Sequence, residues 1–423
     1  MPPGPRAPAA WQTLGWTVRP AAFLQRAHAR FGDPVTIRTL WTDEPMVLFS
    51  GPEAVRELFR LDPAIAPAGQ SWEFVRPFAG SHSILVLDGE EHLRERRLIQ
   101  APFHGERMRA FRPMVAELAE RELGSWSGPV TTLERMKQLT LETILRVVFG
   151  ARDDEAAGLR DAVHGTLDIV RSMPRMIAMS LVQHDLGPRS PWGRFRLAVE
   201  HFDDLLLGLV ARRRAEPSGD SVLALLLEQR DADGNPPSDR HLRDQLVALL
   251  AAGHDTSAAS LAWAFERLAR HPAIQARLRE GDPDYLDAVV KEVLRARPAL
   301  TIAPRRLLEP VEIGGRRLPA GVHVAACIWL ALRREDLWPQ AGAFRPERWL
   351  EGAAPTNPMS WIPFGGGVRR CAGAPFAEME MREVLRAAGA LTIEPSRPEP
   401  ERARRSALVV TPHRGGEVIV RRA

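Results

Sequence analysis

The sequence contains very little lysine, tyrosine and cysteine for its length of 423 residues. The two lysines, Lys137 and Lys291, neither follow a glycine-rich loop nor precede Ser or Thr, which excludes a P-loop nucleotide site. The other basic residues are arginines, and 57 basic against 53 acidic residues leave a formal net charge of only +4. A charge this small gives no indication of a surface that binds nucleic acid.

Cysteine is equally scarce, since the chain has only Cys327 and Cys371. Two cysteines cannot build a disulfide framework or a zinc site with several thiolates, so a reducing compartment is the simplest interpretation. The N-terminus, MPPGPRAPAAWQTLGW, lacks a basic segment followed by an apolar core. We therefore predict no signal peptide and no membrane anchor, and expect a soluble cytoplasmic protein.

Hydrophobic residues make up 45% of the chain and charged residues 26%, as in soluble globular proteins. The length suits two or three domains, or one large α-rich domain. Strand patterns near the N-terminus and after Val311 flank a long stretch of helical spacing, with no repeat and no flexible linker. We predict a mainly α fold with a smaller β-rich portion, formed by one domain over residues 20–423 after a proline-rich segment at 1–19. Helices are predicted at residues 52–59, 91–101, 107–123, 132–149, 155–171, 192–215, 219–230 and 375–391.

The longest helical pattern starts at Ser238, a good N-cap, and ends at His271, where Pro272 stops it. At about 1.5 Å per residue this helix is about 48 Å long and must cross the whole molecule. Its apolar stretch at residues 246–265 approaches the length of a membrane span but carries a polar His-Asp-Thr triplet near its middle. We therefore predict a buried helix in a soluble protein.

The centre of this helix reads AAGHDT at residues 251–256. Small residues leave space on one face, and Gly253 weakens the helix by about 1 kcal/mol relative to alanine, so a flat or bulky group could approach there. Thr256 can bond back to the carbonyl of Ala252, or open that bond to admit water or a diatomic ligand. Close helix packing with a back-bonded threonine is the structural alternative. As chemistry, the carboxylate of Asp255 and the hydroxyl of Thr256 could relay protons.

The segment FGGGVRRCAG at residues 364–373 surrounds a single thiol with small residues, just before a helix that opens at Pro375. The positive end of that helix and the adjacent Arg369 and Arg370 would favour the thiolate of Cys371. One thiolate suffices as an axial ligand of haem iron, whereas zinc needs three or four protein ligands. The alternative is a structural cysteine in a glycine-rich turn, which is how we interpret Cys327 in its apolar run.

These two motifs, 115 positions apart from Thr256 to Cys371, resemble the oxygen-binding motif and the haem-binding loop of the cytochrome P450 family. The resemblance covers roughly residues 20–420. It implies the cytochrome P450 fold with a long central helix, a haem b whose iron is bound by Cys371, and proton handling by Asp255 and Thr256. It implies further haem contacts by His92, Arg96, Ala252, Arg305, Phe364, Gly365, Arg369, Ala372 and Gly373.

Among these contacts, the resemblance assigns the haem propionates to His92, Arg96, Arg305 and Arg369. His92 and Arg96 lie four apart on one helical face, for which surface solvation is the alternative, and Arg306 makes the register of Arg305 ambiguous.

A charged triad is a further point of resemblance. Glu292 and Arg295 lie three apart on one helical face, where an exposed ion pair would contribute only a few tenths of a kcal/mol. In the family the corresponding pair joins an arginine that matches Arg348. Leu332 is a departure, since many relatives carry a histidine there. By resemblance, the substrate pocket is lined by Ala252 and by Ile84, Leu85, Leu249, Leu300, Ile302, Ala303 and Leu408.

The resemblance implies a haem-thiolate monooxygenase that inserts one atom of O2 into a lipophilic small molecule by hydroxylation or epoxidation. The chain has no flavin or iron–sulfur signature, so we expect electrons from a ferredoxin or flavodoxin with an NAD(P)H-dependent reductase. Arg94, Arg97 and Arg370 are candidates to attract such an acidic partner. A peroxide-driven peroxygenase and a non-catalytic haem-binding sensor are the alternatives.

Overall fold

A computed structural model describes residues 1–171, 187, 189–216, 219–230 and 233–422. Its α-helices are α1 (Ala9–Val18), α2 (Pro20–Phe31), α3 (Pro52–Arg60), α4 (Arg76–Ala79), α5 (Gly89–Gln100), α6 (Gly105–Gly124), α7 (Thr132–Val147), α8 (Asp153–Arg171), α9 (Pro191–Ala215), α10 (Val222–Leu227), α11 (Asp239–Ala269), α12 (Pro272–Leu278), α13 (Pro283–Ala296), α14 (Ile328–Ala331) and α15 (Ala374–Ala387). Its strands are β1 (Val35–Ile37), β2 (Met46–Phe49), β3 (Gly128–Thr131), β4 (Ala303–Arg306), β5 (Val311–Ile313), β6 (Arg316–Leu318), β7 (His323–Ala326), β8 (Leu391–Pro395), β9 (Ala403–Ser406), β10 (Val409–Pro412) and β11 (Glu417–Arg422). The prediction of a mainly α fold with a smaller β-rich portion is confirmed.

Hydroxyl and carboxylate caps set several helix starts. The Oγ of Ser190, Ser221 and Ser238 accepts from a backbone N–H in the first turn of α9, α10 and α11, and Asp282 does the same for α13. The long helix α11 therefore starts and ends where its sequence predicts. Helix α10 is shorter than the predicted 219–230, because Gly219 has a left-handed φ of 81° and Ser221 caps the helix behind it.

The long helix α11 divides the apolar core. Its first half, with Leu246 and Leu250, packs in a cluster with α7, α8, α9 and α10. Its second half, with Leu261 and Phe265, packs in another cluster with α6, α13 and α15. The polar AAGHDT stretch lies at the change from one cluster to the other, so the helix leaves the continuous core at that point.

The β-rich portion lies mainly in the N-terminal and C-terminal parts of the chain. One sheet has the strand order β1-β2-β7-β4, in which β2 and β7 are parallel and the other pairs antiparallel. A second sheet has the order β3-β11-β8, and β5–β6 and β9–β10 pair separately. Strand β7 ends at Ala326, because the chain turns into α14 after Cys327.

The proline-rich N-terminal segment packs on the first sheet. The hydroxyl and backbone N–H of Thr36 donate to the carbonyls of Pro2 (2.7 Å) and Pro3 (3.0 Å), and Trp16 of α1 is buried. Within the described ranges, no helix combines the length and apolarity that crossing a bilayer requires.

Candidate haem-thiolate site

Backbone hydrogen bonds shape the cysteine loop, residues 364–373. The N–H of Cys371 donates to the carbonyl of Phe364 (2.9 Å), and the N–H of Arg370 donates to that of Gly367 (3.1 Å). Gly367 has a left-handed φ of 64° that a side chain would strain. The loop therefore turns back on itself and delivers Cys371 to the N-terminus of α15.

Opposing influences act on the thiol of Cys371. Part of the Cys371 residue is accessible to solvent. Many protein atoms nevertheless surround the sulfur, and the resulting loss of hydration raises the pKa of the thiol. The N–H groups of Gly373 and Ala374 and the charges of Arg96 and Arg370 lower the pKa, but burial has the larger effect. The helix terminus and Arg370 therefore act on the thiol in the predicted direction, toward the thiolate. A metal ion bound to the sulfur would supply the missing stabilisation.

Four basic side chains converge near this loop. Burial and the charges of Arg369, Arg96 and Arg305 together lower the pKa of His92 to about 3. Burial likewise lowers the pKa of Arg305 to about 10, and its guanidinium donates only to the adjacent carbonyl of Pro304 (2.7 Å). Among the residues that the structure describes, Arg96 and Arg305 form no ion pair. These two cations, of which Arg305 is buried and Arg96 partly buried, fit a group that carries two carboxylates, as haem b does.

Two details of the basic cluster differ from the sequence-based expectation. Arg369 is already paired, because it donates to the Asp88 carboxylate and to the carbonyls of Ile84 (3.1 Å) and Leu87. Its assignment to a propionate alone is therefore incomplete. The register at Arg305 becomes clear, since Arg306 turns outward toward Asp43 (3.4 Å) while Arg305 is buried.

The polar centre of α11 is open at Ala252, which is exposed within an otherwise buried helix. The Thr256 hydroxyl donates to the Ala252 carbonyl at 2.6 Å. Gly253 does not face the open side as predicted, because a Cβ there would lie 3.0 Å from Ile144 Cδ1 of α7. Asp255 keeps 29% of its side chain exposed, and His254 beside it is buried against Thr140 (Nδ1 to Oγ1, 3.0 Å).

The predicted charged triad is brought together in the core. Arg295 donates to both carboxylate oxygens of Glu292 at 2.8 Å, and Arg348 donates to one of them at 3.3 Å. All three side chains are almost completely buried, which excludes the alternative of an exposed ion pair. Arg295 also donates to the carbonyl of Leu332 (3.0 Å), so the residue that departs from the family pattern contributes through its backbone.

The predicted pocket residues belong to three apolar groups. Ile84 and Leu249 are partly buried at the edge of the cluster that packs the first half of α11. Leu300 and Ala303 border the cluster around α3 and β7, and Ile302 borders a different one around α2 and β1. Leu85, Leu408 and Ala303 are all partly exposed, and Ala303 also lies near the cysteine loop at Gly365.

Three residues near the site escaped the sequence interpretation. The Phe59 ring supports the cysteine loop, since a Cβ on Gly366 would lie 2.3 Å from it. The Asp88 carboxylate accepts a hydrogen bond from Arg369 and also accepts from the backbone N–H groups of Ala68 and Gly69 (2.9 Å each). Gln245 of α11 is fully buried and bonds to the chain near Ile84. A polar residue inside an apolar helical run was the signal available for Gln245.

Comparison with known proteins agrees with this arrangement. A family model described as Cytochrome P450 matches residues 1–388. The chain is 36% identical over 444 residues to the putative cytochrome P450 135B1 of Mycobacterium tuberculosis (strain ATCC 25618 / H37Rv), covering 100% of this chain and 91% of that protein. It is also 36% identical over 433 residues to the putative cytochrome P450 138 of the same strain, covering 100% and 96%.

Solved structures show the same fold at lower sequence identity. The structure of retinoic acid-bound cyanobacterial CYP120A1 matches with a TM-score of 0.85 at 22% identity, covering 100% of this chain and 99% of that one. The cytochrome P450DA heme domain matches with a TM-score of 0.85 at 20% identity, covering 100% and 98%. The chain therefore belongs to the cytochrome P450 family and is a monooxygenase that binds haem through an axial cysteine thiolate.

Proposed function

We propose that Cys371 supplies the axial thiolate, that Asp255 and Thr256 handle protons, and that the enzyme hydroxylates or epoxidises a lipophilic small molecule. The observation that carries this proposal is the solvent-accessible Cys371 thiol beside four basic side chains, of which His92 and Arg305 are buried and Arg96 and Arg369 are partly buried. When bound through a thiolate, haem b activates O2 with two electrons and two protons, so that one oxygen atom enters the substrate and the other leaves as water.

The cationic residues hold the cofactor in this proposal. Arg96 and Arg305 bind the propionates, because Arg305 is buried, Arg96 is partly buried and neither is paired with a carboxylate in the described part of the chain. Neutral His92 donates one further N–H, and Arg369 divides its donors between the cofactor and Asp88. Phe364, Gly365, Ala372 and Gly373 form the loop around the sulfur, and Ala252 leaves room on the opposite side.

Asp255 and Thr256 move protons. The Thr256 oxygen keeps accepting capacity while its hydroxyl bonds to Ala252, so it can accept a hydrogen bond from a water molecule at the open face of α11. The Asp255 carboxylate, which is partly exposed, connects that position to solvent. Electrons come from a separate acidic ferredoxin or flavodoxin and its NAD(P)H-dependent reductase, attracted by the exposed Arg94, Arg97 and Arg370.

The substrate pocket is apolar in this proposal. Ile84, Leu249 and their neighbours offer aliphatic surface and few polar anchors, which favours a lipophilic substrate such as a terpenoid, fatty acid, steroid or polyketide. The residues that we propose to line it are Ile84, Leu85, Leu249, Leu300, Ile302, Ala303 and Leu408.

The test is a coupling measurement on Asp255→Asn and Thr256→Ala. A binding-spectrum screen of lipophilic compounds first identifies a substrate, and turnover then uses a surrogate ferredoxin and reductase. Product formed per NAD(P)H should fall by about a hundredfold, with peroxide released instead, because proton transfer to oxygen is lost. Thr166→Ala is the matched control, since Thr166 is a buried threonine of α8 that back-bonds to Ala162 (2.9 Å).

Several outcomes would contradict the proposal. Unchanged coupling in both variants would exclude a role of Asp255 and Thr256 in proton transfer. Efficient turnover with peroxide alone would favour a peroxygenase. Consumption of NAD(P)H with no oxygenated product from any compound would favour a sensor. Charge reversal at Arg94, Arg97 and Arg370 should weaken reduction in a salt-dependent manner, and unchanged reduction would exclude that docking surface.

A further inference from the structure

We propose that Gln245 is a positioning residue that fixes the substrate-facing segment 80–88 from the long helix. The inference rests on the proposed function, because it takes Ile84 and Leu85 of this segment as part of the pocket. It adds a residue that determines how the substrate lies rather than one that takes part in the chemistry.

The Gln245 side chain is fully buried, and both its amide nitrogen and its amide oxygen are hydrogen-bonded. Its Nε2 donates to the carbonyl of His82 (2.7 Å) and to Glu95 Oε2 (2.9 Å). Its Oε1 accepts from the backbone N–H of Ile84 (3.3 Å). An amide that holds two alternate backbone positions of one loop defines the direction of the side chain at Ile84.

The neighbouring Asp244 holds the start of the same segment. Its carboxylate accepts from the backbone N–H of His82 (3.0 Å) and lies beside the ring Nδ1 (3.1 Å). Gly80 has a φ of 81°, and a Cβ there would lie 1.9 Å from Asp244 Oδ1, so only glycine permits this approach. The Arg243 guanidinium donates to the buried carboxylate of Asp244 (Nη1 to Oδ1, 3.1 Å) and to Asp203 of α9 (Nε to Oδ1, 2.8 Å).

The other end of the segment is held from the cysteine loop. Arg369 donates to the carbonyls of Ile84 and Leu87 and to Asp88. Ile84 is therefore bonded through its N–H to the long helix and through its carbonyl to the cysteine loop. This one residue joins the two sides of the haem site, and Gln245 supplies the bond on the helix side.

The experiment compares Gln245→Leu with Gln275→Leu in the haem-loaded protein. Gln275 of α12 makes the same three kinds of bond elsewhere, donating to the carbonyls of Leu268 (2.8 Å) and Ile393 (2.7 Å) and accepting from the Ile393 N–H (3.0 Å). The probes are phenylimidazole, whose ring must fit the pocket, and imidazole, which reaches the iron without filling it. Both report binding through the haem spectrum, independently of turnover.

Gln245→Leu should weaken phenylimidazole binding by about tenfold and leave imidazole binding within about twofold. It should also speed hydrogen exchange in segment 80–88 without changing the reduced carbon monoxide spectrum. Gln275→Leu should lower stability but change neither probe. Equal effects of the two variants on phenylimidazole, or no effect of Gln245→Leu on affinity and exchange, would overturn the proposal.

A second variant and a measurement on the wild-type protein test the proposal if the Gln245→Leu protein does not bind haem. Gln245→Glu retains the acceptor for the Ile84 N–H but replaces the donors to the His82 carbonyl and to Glu95 with an acceptor, so it should also weaken phenylimidazole binding relative to the wild type. In the wild-type protein, the amides of segment 80–88 should be protected, and free exchange there would contradict the proposal. If this proposal fails while product still forms, the proposed monooxygenation stands; loss of thiolate ligation would instead contradict the proposed function.

Discussion

The cysteine side and the helix side of the haem site are built by different kinds of contact. On the cysteine side, loop 364–373 is closed by backbone hydrogen bonds between residues a few positions apart, such as Cys371 to Phe364. On the helix side, segment 80–88 is held to α11 by buried side chains about 160 positions away, such as Gln245 to Ile84. Backbone hydrogen bonds between nearby residues depend on the local sequence alone. Side-chain hydrogen bonds between distant residues form only when the tertiary fold brings those residues together.

The largest effect should come from replacing Cys371, with replacement of Cys327 as the control. Cys371→Ser removes the thiolate ligand, so the reduced carbon monoxide complex should lose the Soret band of thiolate ligation and turnover should be abolished. Cys327→Ala is the control, because Cys327 is fully buried and its pKa is raised to about 12. This control should retain the spectrum and lose only about 1 kcal/mol of stability. A Cys371→Ser protein with an unchanged spectrum would refute the cysteine assignment.

A second prediction concerns Glu380, which lies on α15 and joins the two sides. Its carboxyl is buried beside Ser257 of α11 and Thr143 of α7, and among the described residues its Oε1 has no hydrogen-bond partner. Burial raises its pKa from 4.5 to about 7. As the pH rises between these values the unfolded chain loses its proton first, so the folded state loses stability, by about 3 kcal/mol in total.

Glu380→Gln should remove this loss. Urea unfolding at about pH 5 and about pH 8 should show a smaller decrease in the free energy of unfolding for the variant than for the wild type. Glu106→Gln, at an exposed carboxyl of α6, controls for the change in net charge. Parallel pH dependences for wild type and Glu380→Gln would show that this carboxyl titrates normally, and that the two sides are not joined by a neutral acid.

The contrast between the two sides also explains what the sequence could predict. The cysteine loop and the start and end of α11 depend on local spacing, so their residues could be predicted, whereas the Glu292–Arg295–Arg348 triad was predicted only through the resemblance to the family. The Phe59 ring beneath Gly366 and the pairing of Arg369 with Asp88 depend on elements that meet only in the folded chain. The burial that raises the pKa of the Cys371 thiol likewise depends on elements that meet only in the folded chain.

The smallest effect should come from a methyl group added under the cysteine loop. Gly366 has an extended backbone, so Gly366→Ala introduces no backbone strain, but its Cβ would lie 2.3 Å from the buried Phe59 ring. Overpacking of this kind costs about 1–3 kcal/mol, which urea unfolding can measure. Gly389→Ala, where a Cβ meets nothing within 4 Å, should cost much less.

A double-mutant cycle makes this prediction specific to the cysteine side. Phe59→Ala alone leaves a cavity, but combined with Gly366→Ala it also removes the clash, so the two costs should sum to more than the cost of the double variant. Additive costs would mean that the loop moves away from Phe59 freely. In that case the backbone bonds from Cys371 to Phe364 and from Arg370 to Gly367 would not hold the loop rigid, and the contrast with the helix side would fail.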